Sequence, residues 1–257
     1  MLKIKQYVKA ESLEQAYELN QKKTNRIVGG MLWLKMSTAQ IQTAIDLSGL
    51  GLDTIEETDT EFIIGAMVTL RELELHSALN DYFENAIRDA VQDIVGVQFR
   101  NLATVGGSVF GRFGFSDVLT VLLSLHTSVE LYKGGIVPLE EFAQMKRDND
   151  ILVNVRIAKT PGHFAYLTHR NTKTDFPVLA VSASKTGEEI RVAVGARPMK
   201  AELFGAGDLS EESAKKLAAQ VKTDSNMRAS AKFRSHLAEV LITRCFDKIK
   251  DVEKEEK

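Results

Sequence analysis

The chain has 257 residues, 44% apolar and 26% charged, with a formal charge of −2. That is ordinary globular usage with enough length for one large domain or two medium ones. The near-zero charge excludes a general attraction to nucleic acid or anionic membrane, and a single cysteine, Cys245, excludes a disulfide framework and a metal or iron–sulfur site held by several thiolates. The first residues, MLKIKQYVKAESLEQ, lack the apolar centre of a signal peptide, and no run approaches the roughly 20 apolar residues of a membrane span, so the expectation is a soluble, cytoplasmic protein.

In chain order, ESLEQAYEL predicts a short helix, with Ser12 and Gln15 at capping-box spacing. RIV predicts a strand that ends in Gly29-Gly30, and AIDLS (Ala44 to Ser48) and EFIIGA (Glu61 to Ala66) predict two more. Thr69 and Glu72 repeat the capping-box spacing ahead of a short helix. LNDYFENAIRDAVQDIVG predicts one helix, with apolar residues at three- and four-residue steps from Leu79 to Val95 and Gly96 as its C-terminal cap. SDVLTVLLSL predicts a helix capped by Ser116.

TSVELY predicts a strand, with Gly134-Gly135 suited to a hairpin turn, and DILVNVRIAK predicts another. Pro161-Gly162 marks the expected domain boundary. Beyond it HFAYLTH, VLAVSAS and IRVAVGA predict strands, the last two joined at Thr186-Gly187. Two helices follow, Glu211 to Val221 and Arg228 to Ile249, and the charged tail DKIKDVEKEEK is expected to fray. The fold class is α+β.

Two glycine pairs end apolar runs, in RIVGGML and ATVGGSV. Each is either a turn or a loop whose backbone N–H groups approach an anion with no Cβ in the way. Neither has the spacing of a dinucleotide-binding or Walker loop. Asp117 opens a helix, which suits either the helix dipole or a hydrogen bond from a sugar hydroxyl.

The stretch VQFRNLATVGGSVFGRFGFSDVLTVLLSLHTSVEL resembles the medium, FAD-binding subunit of the molybdenum hydroxylases, of the xanthine dehydrogenase and carbon monoxide dehydrogenase type. Arg100, Asn101, Ala103, Thr104, Gly106, Gly107 and Asp117 match that family's pattern in order and spacing. IVGGMLWLKM resembles its first phosphate loop, IGAMVTLRELE the segment between loops, ILVNVRI the strand bordering the flavin, and MRASAKFRSHLAEVLITRC its closing helix.

The resemblance implies a two-part FAD-binding domain of the vanillyl-alcohol-oxidase (PCMH) type at residues 1–160, with subdomains of about 1–55 and 56–160. A C-terminal α+β domain at 161–257, with a small antiparallel sheet and helices, would follow. It implies FAD held by Val28, Gly29, Gly30, Met31 and Leu32, by Thr104, Gly106, Gly107 and Ser108, by Asp117, and by Leu152, Tyr166 and Arg170 near the flavin. It assigns no acid or base to this chain. The implied partners are a molybdopterin-binding large subunit, a small two-iron–two-sulfur subunit, and NAD or another electron acceptor, with xanthine as the default substrate of the complex.

The chain departs from the family at several points. Met31 and Leu32 stand where polar residues usually follow the first glycine pair, leaving only main-chain N–H groups to grip a phosphate. Ser108 replaces the usual Asn, and Tyr166 falls at a lysine position, against the isoalloxazine or as an ordinary strand tyrosine. Arg112 is either a fork for phosphate or a solvated loop residue, Trp33 and Phe99 are either core side chains or flavin contacts, and His163 and His169 read as structural. The alternative function is a non-catalytic assembly or docking subunit with weak or lost FAD binding. A flavin reductase of the cell-wall precursor type lacks its motif here, and a bland α+β binding domain would leave the ordered motifs unexplained.

Overall fold

The computed structural model describes residues 1–255. The elements are β1 (Lys3–Lys9), α1 (Leu13–Asn20), β2 (Arg26–Val28), a 3-10 turn (Leu34–Met36), β3 (Gln40–Asp46), β4 (Ile55–Glu57), β5 (Glu61–Gly65), α2 (Leu70–Leu75), α3 (Ser77–Tyr82), α4 (Ala86–Val91), α5 (Val97–Arg100) and α6 (Val105–Phe110). They continue as α7 (Asp117–Ser124), β6 (Thr127–Leu131), β7 (Gly135–Pro138), α8 (Leu139–Gln144), β8 (Leu152–Ala158), β9 (His163–Arg170), β10 (Pro177–Thr186), β11 (Glu189–Gly195), β12 (Glu202–Ala206), α9 (Glu211–Ala218) and α10 (Ala231–Glu255). Among the described residues no helix is long and apolar enough to cross a membrane.

The elements form two compact units that interleave along the chain. One takes residues 1–72, 97–111 and 127–157; the other takes 73–96, 112–126 and 158–257. The first unit holds a parallel sheet in the order β1-β3-β2 and a five-stranded sheet in the order β4-β5-β8-β6-β7. Ile45, Leu47, Ile151 and Val153 share one apolar cluster there with Ala10 and Ala16. Ser12 caps α1 by accepting the Gln15 N–H at 3.1 Å, while the Gln15 amide oxygen returns to the Glu11 N–H at 2.8 Å. The Thr69–Glu72 box closes in the same way.

The second unit is built on an antiparallel sheet in the order β12-β11-β10-β9. β10 is buried along nearly its whole length because both of its faces are covered. One face carries Val181 and Ala183 into an apolar cluster with Leu241, Ile242 and Phe246 of α10. On the other, Ser182 meets Ser124 of α7 at 2.7 Å and the Ser184 hydroxyl donates to the Ser124 carbonyl at 2.6 Å. Gly195 is glycine for a packing reason, since a Cβ there would lie 2.0 Å from the Thr120 hydroxyl of α7. Gly187 turns the β10–β11 hairpin with φ +59°.

Three expectations need correction. The helix expected from Leu79 to Gly96 is two helices, because Glu84 and Asn85 take left-handed φ of 50° and 62°. Each such residue costs about 1–2 kcal/mol. The bend is offset by the Glu84 carboxylate, which accepts the Phe164 N–H and meets His163 Nδ1, both at 2.8 Å. The charged tail, expected to fray, continues α10 to Glu255, with Lys254–Asp251 and Lys250–Asp247 pairs along it. Trp33 is exposed and Phe99 half-buried, and the two meet edge to face at 6.4 Å rather than lying in a core.

Candidate functional site

The first glycine pair follows β2, whose last residue, Val28, is buried beside Asp46 of β3. The chain must then press against residues 102–104. A Cβ on Gly30 would sit 1.8 Å from the Leu102 carbonyl oxygen, and one on Gly29 would sit 2.7 Å from the Thr104 hydroxyl. No side chain fits at either position. Met31 follows with φ +57°, and its carbonyl accepts the Lys35 N–H at 2.9 Å to start the 3-10 turn. Among the described residues, the N–H groups of Gly29, Gly30, Met31 and Leu32 donate to no protein acceptor.

The second pair is not a loop. Thr104 is the N-cap of α6, its hydroxyl accepting the Gly107 N–H at 3.2 Å, so Gly106 and Gly107 form the first turn of a helix. The N–H of Val105 donates to Val68 and that of Gly106 to Ala66, both at 2.8 Å, and the N–H of Ser108 to Thr104 at 3.0 Å. These amides are engaged within the unit, which corrects the expectation of a second ring of N–H donors. Gly106 is explained by packing, since its Cβ would lie 2.7 Å from the Ala66 carbonyl oxygen. Gly107 differs. Its Cβ would meet only the Thr104 hydroxyl, at 3.1 Å, and the residue is exposed. The two glycine pairs therefore converge on one atom, Thr104 Oγ1, with open N–H donors on one side and a bare glycine on the other.

In the second unit Asp117, Tyr166 and Arg170 come together. Ser116 caps α7 by accepting the Leu119 N–H at 3.1 Å, placing Asp117 in the first turn. The Asp117 carboxylate accepts the Tyr166 hydroxyl and pairs with Arg170 Nη2 at 2.7 Å. Burial raises the Asp117 pKa, with Arg170 and the Tyr166 hydroxyl opposing the shift. Burial and the adjacent carboxylate push the Tyr166 phenol well up.

Tyr166 is only 2% exposed. Arg170 also donates through Nη1 to the Asp175 carbonyl, and Asp175 pairs with Arg228 at 3.1 Å. Sequence reasoning missed Asp175 and Arg228 as members of this chain of charges, although Arg228 heads the MRAS stretch. Arg112, one of the two alternatives for which was a solvated residue, is instead 5% exposed with φ +47°. Leu152 is buried at the start of β8, paired with Leu131. Cys245 is fully buried, its thiol pushed up to about 12 by desolvation, and among the described residues no acidic, His and Cys cluster could hold a metal.

Residues 2–159 match the family described as the FAD binding domain in molybdopterin dehydrogenase. The chain belongs to that family. Its cofactor is accordingly FAD. Among curated proteins, YgfM of Escherichia coli, strain K12, is 28% identical over 143 residues, 54% of each chain, and that of O157:H7 matches equally. The matched region thus spans about half the length of these relatives.

Among solved structures, reconstituted CO dehydrogenase from Oligotropha carboxidovorans superposes with a TM-score of 0.84 at 21% identity, covering 98% of both chains. The Hydrogenophaga pseudoflava CO dehydrogenase lacking the Mo-pyranopterin moiety gives 0.84 at 19% identity, covering 96% of this chain and 97% of that one. Quinoline 2-oxidoreductase from Pseudomonas putida 86 gives 0.80 at 18%, covering 97% and 96%. These likenesses establish the α+β fold.

The residues present fit an FAD diphosphate in part. A diphosphate needs donors and close approach, and the first pair offers both, with four open N–H groups and no Cβ at Gly29 or Gly30. The second pair offers close approach at Gly107 but no open amide at 105–107.

Proposed function

We propose that this FAD-binding chain is the electron-transfer subunit of a molybdenum hydroxylase complex. Support comes from the convergence of both glycine pairs on Thr104 Oγ1 within a chain of this family. In this reading the main-chain N–H groups from Gly29 to Leu32, directly after Val28, donate to the diphosphate. Thr104, Gly106, Gly107 and Ser108 form the facing wall, with Gly107 supplying the close approach. Leu152 meets the cofactor through its backbone. Within the second unit, Asp117 is the cofactor-side carboxylate, and Tyr166 and Arg170 act through it, by orienting it and balancing its charge. The domain division proposed is an FAD-binding domain over 1–160 and a C-terminal domain over 161–257.

FAD supplies the redox chemistry, taking single electrons and giving them up in pairs. This chain's residues bind and orient it. The single buried cysteine of this chain does not ligate a two-iron–two-sulfur cluster; in this reading the iron–sulfur relay belongs to a small partner subunit and the hydroxylation to a molybdopterin-binding large subunit. The acceptor proposed is NAD or another oxidant, the substrate of the whole complex a xanthine-like heterocycle, and the compartment the cytoplasm.

A second reading, a docking subunit with weakened FAD binding, is favoured by specific features of the grip. The Met31 and Leu32 side chains add no donor, and the α6 amides are engaged. Titrating the purified chain with FAD separates the two. Saturable quenching of flavin fluorescence at micromolar FAD supports electron transfer. A colourless chain that does not bind FAD but co-purifies with a molybdenum- and iron-containing complex supports docking. A chain that neither binds FAD in the titration nor co-purifies with such a complex refutes both.

A further inference from the structure

A cleft lies within the second unit beside the Asp117–Arg170–Asp175–Arg228 chain of charges. Its volume is about 250 Å³ and its walls are Phe115, Phe176, Pro177 and Pro198, with Asn226 and Arg228 as its polar groups. The cleft exists because two loops are forced together. A Cβ on Gly114 would lie 2.4 Å from the Met199 carbonyl oxygen, and the Ala196 N–H donates to the Gly114 carbonyl at 2.7 Å while Ala196 holds φ +57°. The aromatic wall is ordered. Phe115 stands edge-on to Phe176 at 4.7 Å and is stacked on Phe113 at 5.2 Å with the planes 10° apart. Phe113 and Phe115 are each more than a third exposed, an unusual outlay of aromatic surface for a wall with only a structural role.

The cation is the second element. Arg228 lies 4.8 Å from the centre of the Phe176 ring and gives one Nη2 hydrogen to Asp175. Its Nε is buried without an acceptor among the described residues. A guanidinium has five N–H donors and Asp175 takes one from Nη2, so the outer Nη1 and Nη2 groups of Arg228 keep fork capacity to offer an oxygen pair. Its backbone is fixed on the rim, its N–H donating to Asn226 Oδ1 at 2.9 Å; Arg234 Nη2 donates to the same oxygen at 2.7 Å. Flat aromatic walls select a planar ring, the fork selects a carboxylate, and the volume limits the ligand to one or two rings.

We propose that this cleft binds a small aromatic carboxylate, the ring held against Phe115 and Phe176 and the carboxylate on Arg228. 2-Naphthoate is the test probe, with 2-naphthamide as its uncharged counterpart, each titrated into the full chain by calorimetry. Melting temperatures confirm the fold of Arg228→Gln and Phe115→Ala. Phe115 is partly exposed, so its truncation keeps the test open if Arg228→Gln fails to fold. The expected result is saturable one-to-one naphthoate binding, weakened about tenfold in either folded variant, with the amide about tenfold weaker on the wild-type chain. No saturation up to about 5 mM, equal binding of acid and amide, or a folded variant that loses less than about threefold overturns the proposal.

Discussion

Gly107 and Gly106 are adjacent, in the same turn of the same helix, and the structure gives them opposite reasons for being glycine. Gly106→Ala places a methyl 2.7 Å from the Ala66 carbonyl oxygen and 2.8 Å from the Ala66 Cβ, so α6 and the turn after β5 must separate. Overpacking of this kind costs about 1–3 kcal/mol. Gly107→Ala meets only the Thr104 hydroxyl, at 3.1 Å. Alanine gains up to about 1 kcal/mol over glycine in a helix, which offsets a tight contact with one hydroxyl, so the net change stays within about 1 kcal/mol.

For a chain of this size 1 kcal/mol is about 2–4 °C in melting temperature. Gly106→Ala should therefore melt several degrees lower, while Gly107→Ala melts within about 4 °C of the parent. The effect on FAD should be reversed. A methyl at 107 stands where the cofactor needs close approach, and a loss of tenfold or more in affinity is expected, about 1.4 kcal/mol. Thermal melts without FAD and fluorescence titration with it measure the two quantities separately. If Gly107→Ala binds FAD as tightly as the parent chain, the bare surface beside Thr104 does not face the cofactor, and the assignment of α6 as the facing wall is wrong.

Four further outcomes follow from the geometry. Glu84→Ala removes the acceptor for the Phe164 N–H and the partner of His163, and should lower stability by about 1–3 kcal/mol in a denaturant melt. Arg234→Met strips the donors from Val178, Asp224, Ala229 and Asn226 at once, and should cost about 3 kcal/mol or more or prevent folding, read as loss of soluble yield. Leu32→Ser adds a hydroxyl donor beside the open amides, and should tighten FAD binding up to about tenfold in the same titration. Asp117 should make stability fall as pH rises. Its folded pKa is raised, so between the unfolded carboxylate pKa and that higher value the folded chain holds the proton more tightly. Asp117→Asn should remove that slope, seen as a smaller fall in melting temperature as pH rises above the usual carboxylate range.

Local chemistry was legible where the residues that decide it are close in sequence. Ser12, Thr69 and Ser116 cap the helices that their spacing predicts, Gly187 takes the positive φ that its two-residue turn requires, and Gly135 takes a positive φ at the end of the three-residue β6–β7 loop. What was not legible depends on distant partners. The apolar periodicity from Leu79 to Val95 is genuine, yet Glu84 leaves the helix for an amide and a histidine about eighty residues away. β1 could not be found by alternation because its residues are almost all exposed, and only its pairing with β3 makes it a strand. The interleaving of the two units arises from α7 and α4, which precede β9–β12 in the chain but cover a face of that sheet. No linker composition records it.

The glycine pairs carry the same lesson to the site. From sequence the two look equivalent, each a Gly-Gly after an apolar run, and the natural inference was two similar amide loops gripping one diphosphate from both sides. Accounting for every backbone donor breaks that symmetry. The first pair sits after a strand that has ended, so its N–H groups have no ladder to join. The second follows a threonine cap and two carbonyls, Val68 and Ala66, that take its amides into the protein. A site with donors on one side and a bare wall on the other binds through fewer bonds than a symmetric grip. Each missing bond to a charged phosphate is about 1.5–3 kcal/mol. FAD affinity in the isolated chain is therefore set by the first loop, where the side chains of Met31 and Leu32 add no donor to the main-chain N–H groups, and substitutions between Gly29 and Leu32 should move it more than any that spare Gly107 on α6.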